Sequence, residues 1–518
     1  MNRYLKVYLF IYLSLCIVPV VQAAAPNQWL SKLYTEVLGR APDQSGWQSY
    51  QVNFPGGSCS STVLKNVAMS FLLSSEFNNL GYNNSEKLLV AFRALYNREI
   101  APFEYYYFLE RLEQGTWNWS DVVINLTNST EFSNRTYSLC TNQLEGWAPT
   151  PVMALPTSNT GHFSGGTGLE LQALLDEAEA GETVWLEQRA VVRISETLEI
   201  PPGVSLATIG MPDHNHYARM ARLIRATNFN DGTGGANEGA LIRPFSGSSL
   251  KSVWIDGQRN NVGFHHYWIN LLASGNFAPR GNDNLTVQNV RLSNTAGWST
   301  YQHMGTYENC PCSNAYIADN LITAYASNHI EAWSDGLSIA CEDTLVERND
   351  VIDATDVGIV LFRSGDAAQH SIIRNNTIFN GGNSTYGGIA VDPLNSDGPS
   401  FSFVGAEIYN NLIWASNSAH MDIILSVGTK AWFGDDSKYG YGIKVTNNTT
   451  GSQAIRVKTN IGIAVTNMAI ATVQENVLWT DLQQTTSCLP VVNVGVDSCG
   501  WCAIQPYTNV TIPGCMGH

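Results

Sequence analysis

A mainly β solenoid of short stacked parallel strands, preceded by a small all-α unit, is the fold this sequence predicts. Three observations point to it. Through residues 335–391 two phrases alternate: an apolar alternation after Gly, and a polar-Asn-polar-Ile phrase. Leu337-Ser338-Ile339, Ile359-Val360-Leu361 and Ile389-Ala390-Val391 overlay at steps of 22 and 30 residues, and the Asn-type phrase recurs at Asn320, Asp350, Asn376, Asn411, Asn448 and Asn476. Period-two strands recurring every ~20–40 residues cannot bury their own apolar face, so the coils must stack. Residues 27–140, by contrast, carry helical periodicity and few alternations.

Residues 1–23 read as an export signal: basic Arg3 and Lys6, an apolar run from Val7 to Val21, and the small-residue site Val21-Gln22-Ala23. A secreted, extracellular protein, or one of the periplasm or cell surface, with no membrane span once the signal is removed, is expected. The helical unit, residues 27–145, contains two copies of one pattern. Leu38-Gly39-Arg40 leads to Ser74-Ser75-Glu76-Phe77, and Tyr96-Asn97-Arg98 leads to Ser129-Thr130-Glu131-Phe132, with Arg and Glu 36 and 33 residues apart. An Arg–Glu bridge closing each copy is the expectation. Residues 146–168 read as a Pro/Ser/Thr/Gly linker. Leu169–Leu175 is an amphipathic helix suited to cap the open end of a coil stack spanning 169–480. The coil stack is expected to fold without residues 24–145. Residues 210–247 and 257–281 are long insertions carrying His214, His216, His265 and His266.

Net charge is −16 with no long basic run, which excludes nucleic acid as the main partner. The same excess of acid means that a polyuronate would need local Lys/Arg or bridging Ca²⁺. Nine cysteines follow the signal, and in an oxidising compartment they are expected in disulfides with one left over. Cys488, Cys499, Cys502 and Cys515 are expected to staple the tail, residues 481–518.

The first helical copy, with Pro42-Asp43 and Gly46-Trp47, is similar to the bacterial domain-of-unknown-function family numbered 4214, whose pattern opens on Tyr/Leu-Gly-Arg-x-Pro-Asp and closes on Ser-x-Glu-Phe. The second copy departs at Glu99-Ile100-Ala101-Pro102. The family implies no chemistry. Residues ~161–480 resemble the right-handed parallel β-helix of the pectin lyase-like superfamily. That resemblance implies a carbohydrate-active protein, a polysaccharide lyase or glycoside hydrolase with epimerase chemistry as a third possibility. The alternative is a non-catalytic glycan-binding or adhesin solenoid.

Two constellations could carry chemistry. If Leu337, Ile359, Ile389, Ile423 and Ile455 point inward, then Ser338, Val360, Ala390, Ile424 and Arg456 form one outward column, and Ala340, Phe362, Asp392, Ser426 and Lys458 another. Asp392, Lys458, Arg456 and the stacking ring of Phe362, with Tyr301 and His303 from an upstream coil, would then line a sugar groove. The second constellation is acidic. Asp335 precedes Gly336, and Asp353 and Asp356 precede Gly358, at one edge of consecutive coils. Stacked carboxylates with one pKa raised suit general acid/base work on a glycosidic bond, and Asp335 with Asp356 could also hold Ca²⁺; no other cofactor is expected. Ser334-Asp335-Gly336 and Thr355-Asp356 fall near the Asn-Thr-Asp-Gly and Asp-Asp phrases of polygalacturonase-like hydrolases, with Thr355 in place of the first Asp. A lyase or epimerase would use Arg363 as base, with His329 and Glu331 nearby. The competing reading is that Asp before Gly satisfies turn amides.

Overall fold

A computed structural model describes residues 24–141, 156–230, 239–274, 282–304, 312–323, 333–362, 368–382, 384–392, 401–428, 440–465 and 468–482. The expected signal, the first ten residues of the linker, Arg363, His329, Glu331 and the four tail cysteines lie outside these. Among the described residues no helix is long and apolar enough to cross a membrane.

Residues 24–141 form a helical unit, and the chain from Phe163 onward is a parallel β-helix. Each complete coil has three strands, as in Leu345–Glu347, Asp350–Ile352 and Val357–Phe362. The third strand of each coil joins one parallel nine-stranded sheet: Leu198–Ile200, Ile242–Pro244, Leu271–Ser274, Ser299–Met304, Asp335–Ala340, Val357–Phe362, Thr385–Asp392, Met421–Val427 and Ile461–Val465. Its register stacks Leu337 on Ile359 on Ile389, as the overlay required. The next steps differ. Ile389 meets Leu425, and Leu425 meets Ile463, in place of Ile423 and Ile455.

The coil corner between the first two strands is closed by a ladder of side chains. Asn320, Asn349, Asn376, Asn411, Asn448 and Asn476 are buried and run along it. Each amide Nδ2 donates to the next Asn Oδ1, at 2.8–3.0 Å from Asn320 through to Asn476. Each Oδ1 also takes the backbone N–H of the rung before it. The second Nδ2 proton goes to a strand carbonyl, such as Val346 for Asn376. The second rung is Asn349, not the Asp350 of the sequence reading. Asp350 instead accepts the backbone N–H of Ala41 from the helical unit. The residue before each rung turns left-handed, φ between 54° and 58° at Asp319, Arg348, Asn375, Asn410, Asn447 and Glu475. Asp and Asn tolerate that region best among side-chain-bearing residues, which is why the phrase is polar-Asn.

The cap is a helix, Gly168–Glu177, started by a Thr167–Glu170 capping box, with Leu171 and Leu175 buried on the coil end. The last residues of the expected linker are ordered: Phe163–Thr167 is a strand pairing with Thr183–Ile194.

In the helical unit both bridges form, Arg40 Nε to Glu76 at 2.8 Å and Arg98 Nη2 to Glu131 at 2.7 Å. The Ser of each Ser-x-Glu-Phe phrase caps a helix by accepting from the Phe amide, while Phe77 and Phe132 are buried. Gly39 and its counterpart Asn97 both turn left-handed to aim the Arg. Only Gly suits position 39, because a Cβ there would lie 2.5 Å from the Asn215 Cα.

That contact belongs to an interface the sequence did not suggest. The helical unit and the coils share one apolar core, with Trp47 packed against Phe379 and Trp414 at ring centroids 5.0 and 5.8 Å apart. Buried charges cross it. Glu36 meets Arg291 at 2.6 Å, and Glu99 meets Arg222 at 2.5 Å and Arg93 at 3.0 Å. Arg222 also bridges to Asp256. All three guanidiniums lie over the Trp254 ring. The 210–247 insertion is part of this brace: Tyr217 donates to Glu36, and Asn215 accepts from Tyr82. His214 and His216 therefore sit at the junction of the two units, not in a groove. These contacts weigh against the expectation of a separable coil stack.

This architecture makes three predictions. Asn376→Ala orphans a backbone N–H, a carbonyl and two rungs, so unfolding in urea should show a loss of about 2–5 kcal/mol, and a loss under about 1 kcal/mol would mean the ladder carries no weight. Glu99→Ala leaves Arg222 and Arg93 buried with one acid fewer, and should cost about 3–5 kcal/mol. Correspondingly, a 156–518 fragment should aggregate or bind apolar dyes, whereas a fragment that unfolds cooperatively would show the brace to be dispensable.

Candidate functional site

Three glycines set the edge where the acids sit. Gly336, Gly358 and Gly388 stack on successive coils, and a Cβ on Gly336 would come within 2.5 Å of the Gly358 carbonyl oxygen, while one on Gly358 would come within 2.7 Å of that of Gly388. The close approach places the residues just before them on adjacent coils at one corner. Asp335 precedes the first glycine and Asp356 lies two before the second.

Asp335 is buried and turns along the outward face of the sheet. Its carboxylate accepts from the Ser338 hydroxyl at 2.9 Å and from the Val357 amide at 3.1 Å. Ser338 Oγ also lies 2.7 Å from Ser299 Oγ of the preceding coil. The Asp356 carboxylate has no hydrogen-bond partner among the described residues, while its backbone carbonyl accepts the amides of Tyr386 and Gly387. Burial and the repulsion of Asp356 hold the Asp335 carboxyl well above the usual carboxylate range, with a smaller push from Asp392. Burial raises Asp356 to about 7. Two neighbouring carboxyls so placed cannot both ionise cheaply, so the pair retains a proton near neutral pH.

The surroundings are apolar and aromatic. Val357, Val360, Ala390 and Phe362 cluster on the outward face. Trp298 lies 6.4 Å from Phe362, edge to face. Trp333, two residues before Asp335, and Tyr386, whose amide binds Asp356, meet at 5.4 Å and remain 36% and 42% exposed. This pair of rings flanks the acids with accessible faces. Neither ring was singled out from sequence, while Ser338 was placed in an outward column without a role; the position of Trp333 and Tyr386 at the strand entrance was the available signal.

The other candidate residues separate. Phe362 faces outward as expected and pairs with Asp392 on the next strand, so both belong to the same face. Asp353 does not: it turns left-handed and accepts from Gly381 N and from Ser31 of the helical unit, and burial raises it to about 6. Tyr301 stacks over Leu337 in register and points into the coil interior, wholly buried, and His303 over Ile339 does the same. They share the inward parity of Leu337, so neither lines a groove. Lys458 and Arg456 leave the sheet altogether. Val457–Thr459 pairs with Thr480–Leu482 in a separate two-stranded sheet, and Ser426 stacks on Ala390, not on Asp392. The Asp392–Ser426–Lys458 column therefore does not form. His265, exposed, stacks on Trp268 at 3.7 Å. Asp335 and Asp356 are also the carboxylates that could share a cation with Asp392, but Asp335 already spends its oxygens on Ser338 and Val357.

Residues 22–81 and 68–136 match the profile of the family described as Domain of unknown function (DUF4214), which covers the helical unit and none of the coils. A search for curated relatives by sequence gives no match. Among solved structures the chain is similar to the tailspike protein of E. coli bacteriophage HK620 in complex with pentasaccharide, at 11% identity and TM-score 0.34 over 60% of this chain and 52% of that one. It is similar also to the Azotobacter vinelandii mannuronan C-5 epimerase AlgE6 A-module, at 16% identity and TM-score 0.34 over 67% and 98%. A third is tailspike gp49 of Acinetobacter baumannii bacteriophage Fri1, a capsular polysaccharide depolymerase, at 12% identity and TM-score 0.32 over 70% and 69%. The chain spans about half the length of the HK620 tailspike. The likeness to all three is one of fold, a parallel β-helix.

Proposed function

We propose that this protein cleaves a polysaccharide lying across the outward face of the nine-stranded sheet, with Asp356 moving the proton. The observation that carries the reading is the carboxyl pair: Asp335, buried and tied down, beside Asp356, raised to about 7 and without a hydrogen-bond partner among the described residues. A group titrating near neutral pH is matched to proton transfer at a glycosidic oxygen. Asp335, fixed by Ser338 and Val357 and itself raised, shares the buried corner, so burial keeps a proton on Asp356 until a sugar oxygen takes it. Trp333 and Tyr386 offer flat faces for pyranose rings. Two carboxyls with separated proton affinities favour hydrolysis over elimination. Secretion, inferred from residues 1–23, would place the protein where such polymers are.

The competing reading is a glycan-binding solenoid in which Asp335 only satisfies the Val357 turn amide, and the hydrogen bonds at that atom favour it. A polysaccharide panel read for new reducing ends and for unsaturated uronate absorbance, with and without chelator, separates the two. On a substrate so found, Asp356→Asn should lose about 100- to 10,000-fold in rate with an unchanged or higher Tm, because it removes a charge that burial disfavours. Retained activity would remove Asp356 from the mechanism. Loss of Tm in Asp335→Asn with full activity would establish the turn reading.

The same shifts set a pH dependence. A carboxyl raised in the folded state binds its proton more tightly there than in the unfolded chain, so its stabilising contribution is present below the ordinary carboxylate range and lost as pH rises toward 7. Wild-type Tm should fall between about pH 4 and 7, and Asp356→Asn should flatten that fall. Parallel curves for the two proteins would mean that Asp356 titrates normally.

A further inference from the structure

One cluster inside the coils takes no part in the carboxyl site. His303, Cys312 and Cys341 come from consecutive coils and are all wholly buried. One ligand atom from each, the ring nitrogen and the two sulfurs, lie within 4.8 Å of one another. The cysteines are joined in a disulfide, Cα to Cα 4.9 Å. The imidazole is oriented from behind: His303 Nε2 lies 2.9 Å from the Asn282 carbonyl, which can only accept, so Nε2 carries the hydrogen. Nδ1 therefore presents a lone pair, and although buried it has no hydrogen-bond partner among the described residues. An unfilled buried acceptor destabilises the fold unless something occupies it in another state.

We infer that His303 Nδ1, Cys312 Sγ and Cys341 Sγ form a metal site of the zinc class in the dithiol state of the protein, exclusive with the disulfide. The chemistry of the three atoms suits it. Two thiolates and an imidazole are borderline-soft donors, and a backbone carbonyl behind the imidazole is the usual device that fixes a metal-binding tautomer. A dication held by two thiolates is a neutral unit, which this apolar interior accepts where a lone thiolate would not be accepted. Reaching that state needs a dithiol reductant. Its two thiols exchange with Cys312–Cys341, it leaves as its own disulfide, and two protein thiols are released. Binding of Zn²⁺ then replaces the two S–H protons, which go to solvent. The disulfide state has no thiolate to offer and takes no metal here.

The test uses the full chain reduced with a dithiol under anaerobic conditions, dialysed free of reductant, and titrated with Zn²⁺ and, as a spectroscopic probe, Co²⁺. Wild type should bind one metal equivalent per chain more than His303→Phe, and that equivalent should show the visible bands of tetrahedral cobalt–thiolate. His303→Phe keeps the ring volume and the disulfide, and a Cys312→Ser, Cys341→Ser double variant should lose the same equivalent. Wild-type protein with its disulfides intact should lack it. Equal stoichiometry in wild type and His303→Phe would overturn the inference, as would equal binding in the oxidised and reduced chains. If reduction melts the β-sheet signal, recovery on adding Zn²⁺ in wild type but not in His303→Phe supports the site, and no recovery in either refutes it.

Discussion

Six successive coils of this protein turn their backbone through a corner that water does not reach, and the asparagine ladder is what makes that possible. A buried corner leaves N–H and C=O groups without strand partners. One Asn per coil supplies two donors and one doubly accepting oxygen, which serves the corner above, its own corner and the next rung together. The spacing of rungs tolerates coils of different length, because only the corner has to align. Register across the third sheet is inherited from that alignment. The outward placement of Asp335, Asp356, Phe362 and Asp392 is therefore a consequence of side chains elsewhere on the coil.

The helical unit is bound to this stack by a second polar device of a different kind. Arg93, Arg222 and Arg291 lie over Trp254 with Glu36, Glu99 and Asp256 as counterions, all buried. Arginine is suited to the role because its planar, weakly hydrated cation stacks on an indole while its fork meets carboxylates in plane. Burial would push Glu99 up, yet Arg222 and Arg93 pull its carboxyl down to about 2, so the brace stays ionised across the physiological range. Well-matched buried charges define one docking geometry more sharply than apolar contact does, and Asp350 and Asp353 are drawn into the same junction.

What the sequence disclosed and what it hid divide along one line. Periodic features were legible: the stack of Leu337, Ile359 and Ile389, the capping helix, and the Arg40–Glu76 and Arg98–Glu131 bridges all repeat. Phase was not legible where insertions intervene. Ile423 and Leu425 have the same parity, so alternation alone could not choose between them, and Ile455 imitates a strand that lies at Ile463. Tyr301 and His303 look like groove residues because they are polar, but their parity is inward, and the interior tolerates a neutral imidazole and phenol. Asp353 differs from Asp356 by three residues and one corner, which suffices to turn it toward Ser31. The interface was invisible because its pairs, such as Glu36 with Arg291, join residues 255 apart with no period to connect them.

The shared proton is the point on which the chemistry rests, and it can be observed directly. Difference infrared spectroscopy of wild type against Asp356→Asn, titrated from pH 4 to pH 9, reads the protonated carboxyl stretch of this group. A buried pair holding one proton predicts that the wild-type-minus-Asp356→Asn difference contains a carboxylic-acid band persisting to about pH 7, beyond the bands that buried Asp335 and Asp353 give in both proteins. Disappearance of that band by about pH 5, with the variant indistinguishable from wild type, would show two ordinary carboxylates and contradict the site.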